Sequence, residues 1–379
     1  MRPEIARKRT SPSHVAVRKA QAPASVTELD TRDTTILKGL AISAIVLHNF
    51  FHLLSPAREN EFVFHQGGLG VFLRTVQHPS LALQAFFSFF GYLGVSVFIF
   101  LSAYGLAKSH WNWSESWAHF MAGRIRKLFP TFGLVVLPWM LVYAHQNGLH
   151  PFLHTILPQI AFMAVGLTPL VPGLGPPPVG PWWFIPFILE FYAVFFALRK
   201  TTRKFGWQGL IVLALMGVAV SMTVEPWLLR WGINVYLTPL GRMPSICLGI
   251  AAARYSFRFP RFVVPVAGGA ILLGSTFNTL WRFISPAAVV LLLWIYMEAR
   301  IYIRECRPLE QIGRYSVLIF LLNTIVRDQF LPFATTPALQ LVFAAVSALI
   351  SLAIAATIQG FLIESPAIDS KMGTAEKAA

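Results

Sequence analysis

The chain has 379 residues, of which 55% are hydrophobic and only 12% charged, with a formal net charge of +15. A mean hydropathy of +0.60 exceeds what a soluble domain of this length needs to fill a core, which excludes an ordinary soluble enzyme. The Lys and Arg residues fall at the ends of apolar segments, the positive-inside pattern of membrane proteins, and this argues against nucleic acid as a partner.

In chain order, residues 1–35 read as a disordered basic cytoplasmic tail. Arg2, Arg7, Lys8, Arg9, Arg18 and Lys19 are scattered among Ser, Pro, Ala and Thr, with no apolar run close behind them to make a cleavable signal peptide. Apolar segments of membrane-crossing length follow near 36–55, 87–107, 127–145, 150–170, 182–199, 207–224, 235–253, 262–280, 282–303, 313–332 and 338–363. Basic clusters lie in the N-terminal tail, at 108–127, at 199–204, at 254–261 and at 300–314. If all of these are cytoplasmic, an even number of spans must separate each pair. Three segments lie between Lys127 and Arg199, so one of them does not cross. The weakest is 150–170, which opens on His150-Pro151, contains His154 and Pro158, and runs into a Pro/Gly stretch. It reads as an outward-side re-entrant or interfacial segment. The expected fold is an all-α integral membrane protein, a bundle of about ten transmembrane helices with both termini cytoplasmic. The transmembrane domain would cover 36–366, and 367–379 would form a second short tail. Cys247 and Cys306 show no disulfide or metal-site spacing and read as free thiols, and no metal site is expected.

The first apolar segment carries the clearest chemistry. His48 and His52 are one turn apart on it, and Lys38 stands near its start. Ionisable side chains are costly in lipid and usually face a bundle interior or a water-filled cavity. Imidazole exchanges protons near neutral pH. His48 lies about 15 Å along the axis from Lys38, at roughly 1.5 Å per residue. At about 100° per residue, Asn49 shares the face of Lys38, His52 lies within roughly 40° of it, and His48 is turned away by about 80°. A basic group at the entrance and an imidazole deep in the helix suit a ligand with an anionic head and a reactive far end. Arg124 and Arg126, at the start of a later helix, could hold phosphates there. The simpler roles are a snorkelling anchor for Lys38, topology signals for the arginines, and interfacial wetting for the histidines.

Further motifs follow in order. Lys38-Gly39-Leu40-Ala41-Ile42 leads to His48. Then come Gly94-Val95, Phe98, Leu101-Ser102 and Tyr104-Gly105, followed by Arg124, Arg126 and Pro130. Trp183 to Tyr192, Gly313 to Asn323, and Ile363-Glu364-Ser365-Pro366 complete the series. Together they resemble the acyltransferase 3 family of integral-membrane O-acyltransferases. The commonest family histidine falls on Asn49 and the late-motif histidine on Asn323, Lys38 replaces the usual Arg, and Tyr92 and Glu190 stand where other residue types are common. The resemblance implies a ten-helix fold in the bacterial cytoplasmic (inner) membrane. It also implies transfer of an acyl group, typically acetyl from acetyl-CoA, to hydroxyls of extracytoplasmic glycans such as exopolysaccharide. Acyl-CoA would be a substrate, with no permanently bound cofactor. Lys38, Arg124 and Arg126 would hold it, and His48, with His52, would handle the proton. Partners would be the lipid bilayer, the glycan acceptor and polysaccharide synthesis or export machinery. The alternative is a multi-pass transporter or flippase for a lipid-linked glycan. No inverted repeat or matched pair of interrupted helices supports it.

Overall fold

The computed structural model describes residues 29–112, 114–174, 177–255 and 258–364, and among them every regular element is helical. The expected tails over 1–28 and 367–379, and Pro366, lie outside the described residues. The helices are α1 (Thr31–Phe51), α2 (Gly68–Val76), α3 (Pro79–Phe90), α4 (Leu93–Ser109), α5 (Trp117–Asn147), α6 (Leu149–Pro151), α7 (Leu157–Ala164), α8 (Phe184–Leu229), α9 (Met243–Arg254), α10 (Val263–Thr276), α11 (Ile284–Ile303), α12 (Arg307–Arg314), α13 (Ser316–Phe330) and α14 (Pro337–Glu364).

Among the described residues, six stretches are long and apolar enough to cross a membrane: those built on α1, α5, α8, α11, α13 and α14. The pair α3 and α4, which meets at 40°, makes a seventh if counted as one. The stretch Gly180–Leu229 covers 50 residues. A straight helix of that length would run about 75 Å, against a hydrocarbon core of about 30 Å. It bends at Gly206, whose φ of 63° and ψ of −150° only glycine adopts without strain. α8 is therefore two arms, matching the expected 182–199 and 207–224. The segments expected at 235–253 and 262–280 shorten to α9, of 12 residues, and α10, of 14. The segment expected at 150–170 is broken. A π-helical turn at Phe152–Ile156 joins α6 to α7, and the Gln159 amide donates to the Leu174 carbonyl at 3.0 Å, so the chain doubles back.

α1 starts earlier than its apolar run. Residues 29–35 were expected in the tail, yet Asp30 caps the helix: its side chain accepts from the Asp33 amide and Asp33 accepts from the Asp30 amide. Asp33 is fully buried. It accepts from Tyr296 at 2.7 Å and from Arg300 Nε at 3.0 Å, while Arg304 reaches it at 3.5 Å. Three cationic or hydroxylic partners are what let a carboxylate sit there.

Contacts sort the connecting segments to two ends. At the Asp33 end, Tyr104 donates to the Leu29 carbonyl, Arg32 pairs with Glu310, Arg199 donates to the His110 carbonyl, and Arg254 lies over Trp111. At the other end, Trp281 donates to the Asn60 carbonyl, Asn234 to that of Phe62 and Gln84 to that of Pro337, while Arg242 pairs with Glu61 and Arg282 with Glu225. α1 and α13 run parallel between these ends. Gly39 of α1 and Gly313 of α12, just before α13 begins, meet backbone to backbone, and ten residues further along each chain segment Asn49 meets Asn323. Without a hydrophobic drive between helices in lipid, such close approach of small residues supplies the packing.

Candidate active site

Near its last turn α1 brings His48 and His52 together, their rings stacked at 4.8 Å. His48 is 3% exposed. Its Nδ1 lies 3.1 Å from the Phe87 carbonyl of α3. A carbonyl oxygen only accepts, so Nδ1 carries the hydrogen and Nε2 keeps its lone pair. This approach needs Gly91, because a Cβ there would stand 2.7 Å from the His48 Cβ and 2.8 Å from the Ala44 carbonyl. After His52 caps the helix, the chain turns back, and Glu59 reaches His52 Nδ1 at 3.4 Å. Among the described residues, His52 Nε2 has no hydrogen-bond partner. Burial works to raise the Glu59 carboxyl, but the hydrogen bond with His52 and the positive charge that His48 or His52 carries when protonated outweigh it and bring it down to about 2. Glu59 is therefore ionised at neutral pH.

The ligand atoms of His48, His52 and Glu59 lie within 4.8 Å of one another, a spacing that can hold a metal ion. The two rings, however, are stacked with only 29° between their planes. Ring-nitrogen lone pairs lie in the ring plane, so they do not converge on one point here. The paired contact that the cluster does make is the one between Glu59 and His52 Nδ1.

Lys38 and Arg124 share one cavity. Both line a largely apolar cavity of about 290 Å³ enclosed by α1, α4, α5, α8 and α13. Ser102, Phe98 and Ile45 also face it, and Phe184, Phe320 and Leu321 border it. Arg124 also borders a second cavity of about 280 Å³, together with Lys127, Arg314, Tyr192 and Gln359. Its guanidinium lies 2.9 Å from His110 Nδ1 and over the Tyr192 ring. Arg126 is exposed and lines neither cavity. Sequence reading passed over Glu59, Lys127 and Arg314. The basic side chains of the last two are visible in the sequence, but their convergence is not.

Asn49 lies one turn beyond Ile45, and Asn323 lies three residues beyond Phe320. The Asn49 amide donates to Asn323 Oδ1 at 2.8 Å, and Arg327 donates to the Asn49 carbonyl at 2.6 Å. Past the histidines, Glu61 and Arg242 form a buried pair at 3.8 Å. The Arg242 guanidinium sits among the rings of Phe62, Trp183 and Tyr236 and donates to the Tyr236 carbonyl. Burial pushes the Glu61 carboxyl up to about 8, with Arg242 pulling it back in part and Glu59 adding to the rise.

A family model, described as an acyltransferase domain, matches residues 32–358. The chain belongs to the acyltransferase 3 family. The match runs from the first turn of α1 into α14, so the His48–His52–Glu59 cluster, the first cavity and all of the second cavity's lining but Gln359 lie inside the acyltransferase domain. No curated protein and no solved structure matches the chain. Family membership makes the protein a multi-pass membrane acyltransferase.

Proposed function

We propose that the protein transfers an acyl group, acetyl from acetyl-CoA, to a hydroxyl of an exopolysaccharide or similar cell-surface glycan, with the donor entering at the Asp33 end and the acceptor arriving at the Glu61 end. The observation that carries this reading is the cavity that starts at Lys38 and Arg124 and follows α1 toward the histidines. Lys127 and Arg314, beside Arg124 in the adjoining cavity, add positive charge where the nucleotide phosphates would lie. The apolar lining suits the donor's arm and acyl group. Arg126 stays with the topology signal.

The arrangement in the membrane belongs to the same proposal. The contacts of the connecting segments alternate between the two ends, which supports ten passes: α1, α3 with α4, α5, the two arms of α8, α9, α10, α11, α13 and α14. The Asp33 end is rich in Arg and Lys, so the positive-inside rule makes it cytoplasmic and puts both termini there, in a bacterial inner membrane.

For the chemistry, His52 is the better placed base. Its Nδ1 is held by an ionised carboxylate, its Nε2 is free, and its face of α1 is that of Lys38 and Asn49. It takes the acceptor proton as the hydroxyl attacks the thioester, and Glu59 stabilises the resulting imidazolium. The test is acetyl release from purified surface glycan of cells that express the wild type, His52→Ala or His48→Ala at equal membrane abundance. The reading expects loss in His52→Ala and a smaller loss in His48→Ala. Full acetylation in both variants overturns it, and the reverse order reassigns the base to His48. A reporter fused after Val171 should read as outside, and a cytoplasmic reading there sinks the ten-pass arrangement.

A further inference from the structure

The donor cavity stops short of the histidines. Its lining along α1 reaches Ile45, and along α13 it reaches Phe320 and Leu321. His52 is seven residues past Ile45, about 10 Å further along the axis. Asn49 and Asn323 occupy the interval, on the same face of α1 as Lys38.

The orientation of this amide pair is fixed by its surroundings. Asn323 Nδ2 donates to the carbonyls of Phe320 at 2.7 Å and Ile319 at 3.2 Å. Its Oδ1 must then face Asn49, and Asn49 must answer with Nδ2. An amide nitrogen carries two hydrogens, and Asn323 takes only one of them. Among the described residues, the second Asn49 N–H has no hydrogen-bond partner. The Asn49 backbone is in turn tied to α13 by Arg327. A neutral donor held on two sides, one helical turn beyond the cavity lining at Ile45 and about one turn from an imidazole, is what a developing oxyanion requires.

We propose that Asn49 is the carbonyl-binding residue of the transfer step and that Asn323 is its positioning residue. This rests on the acyl-transfer reading above. The acceptor oxygen attacks the thioester carbon and a carbon–oxygen bond forms. The carbonyl π pair moves onto oxygen, where the Asn49 N–H receives it, while His52 accepts the hydroxyl proton. The pair then returns to re-form the carbonyl, the carbon–sulfur bond breaks, and the departing thiolate takes the proton from His52 to leave as the free thiol. Because the donor is uncharged, Asn49 does not compete with Lys38 or Arg124 for the phosphates. It acts on the transition state more than on donor affinity.

The experiment uses full-length protein in lipid nanodiscs. In the first arm, [13C=O]acetyl-CoA is bound without acceptor and the thioester carbonyl stretch is read by difference infrared spectroscopy. The stretch shifts to lower frequency in the wild type and returns to its solution value in Asn49→Ala and in the near-isosteric Asn49→Leu, which serves if the alanine variant does not fold. In the second arm, turnover is measured by thiol release, with surface polysaccharide from cells lacking the protein as acceptor. Asn49→Ala and Asn49→Leu lose about 10²–10³-fold in kcat, with KM for acetyl-CoA little changed. Asn323→Leu loses less, on the order of tenfold, because its effect passes through the placement of Asn49. A carbonyl shift retained in both Asn49 variants, or kcat within threefold of the wild type, overturns the assignment. So does a kcat loss that only follows a matching loss of thermal stability. A wild type that neither binds acetyl-CoA nor turns over instead refutes the acyl-transfer reading on which the assignment stands.

Discussion

Gly313→Ala tests the closest helix contact in the bundle. A Cβ on Gly313 would stand 1.8 Å from the Thr35 carbonyl oxygen, whereas ordinary contact begins at 3.4 Å, a deficit of about 1.6 Å (3.4 less 1.8). The opposite glycine leaves no slack, since a Cβ on Gly39 would stand 2.1 Å from the Leu309 carbonyl oxygen. Both obstacles are backbone, so no side-chain rotation relieves them and α12 must back away from α1. Overpacking of this kind costs typically 1–3 kcal/mol, and a backbone-to-backbone clash belongs at the upper end, about 3 kcal/mol. That is roughly a hundredfold in the folding equilibrium. Separation of the helices also pulls Glu310 from Arg32. Gly269→Ala is the control, because no atom lies within 4 Å of a Cβ there. Replacing glycine inside a helix should leave that variant unchanged or stabilise it by up to about 1 kcal/mol. The assay is thermal unfolding of detergent-solubilised protein, followed by the monodisperse peak in size-exclusion chromatography. A Gly313→Ala midpoint equal to wild type, or an equal loss in Gly269→Ala, would refute the reasoning.

Three other outcomes are expected. Asp33→Asn removes the buried negative charge that Arg300 and Arg304 share, and should cost about 3 kcal/mol in the same unfolding assay; an unchanged midpoint contradicts the network. Glu59 is held down to about 2 from an ordinary value of 4.5, so on acidification the unfolded chain takes up its proton first. The stability Glu59 contributes is therefore present above about 4.5 and lost as pH falls toward 2. Glu59→Gln should be the less stable protein at pH 7 and should converge with wild type in acid, and parallel pH profiles would rule this out. The double variant Lys127→Ala, Arg314→Ala should raise KM for acetyl-CoA at least about tenfold, more at low salt than at high salt, with a smaller change in kcat; a KM insensitive to both substitutions places the phosphates elsewhere.

Much of the bundle was legible because apolar runs in lipid must be helical. What the runs could not show is where polar ends join the fold. Asp30 and Asp33 looked like part of a charged tail, since the arginines that complete them are about 270 positions away. α5 starts at Trp117, ten residues before its apolar run, because Ser116 caps it and Phe120 packs inward. Gly206 joins two expected spans through one bend, which no hydropathy average resolves. At the site, one-turn spacing gave away the His48–His52 pair. Glu59 was hidden because a loop, which has no periodicity, folds it back. Asn49 and Asn323 were each visible as departures from the family pattern. Only the fold shows that they depart toward each other.

The tie between α1 and α13 at both ends has a mechanical consequence. Gly39 against Gly313 of α12, which leads straight into α13, Asn49 against Asn323, and Arg327 on the Asn49 carbonyl make α1 and the α12–α13 segment one strut, to which α4 is fastened by Tyr104 on the Leu29 carbonyl ahead of α1. The facing wall is built differently. Only 17% of the apolar window of α5 is buried, and its interior holds Pro130 and Pro138, each of which omits a backbone hydrogen bond. Stiffness is therefore distributed unequally around the cavity, and deformation concentrates in the compliant side. Flexing of α5 would change the width of the cavity while the distances among Asn49, His48 and His52 stay set by the strut.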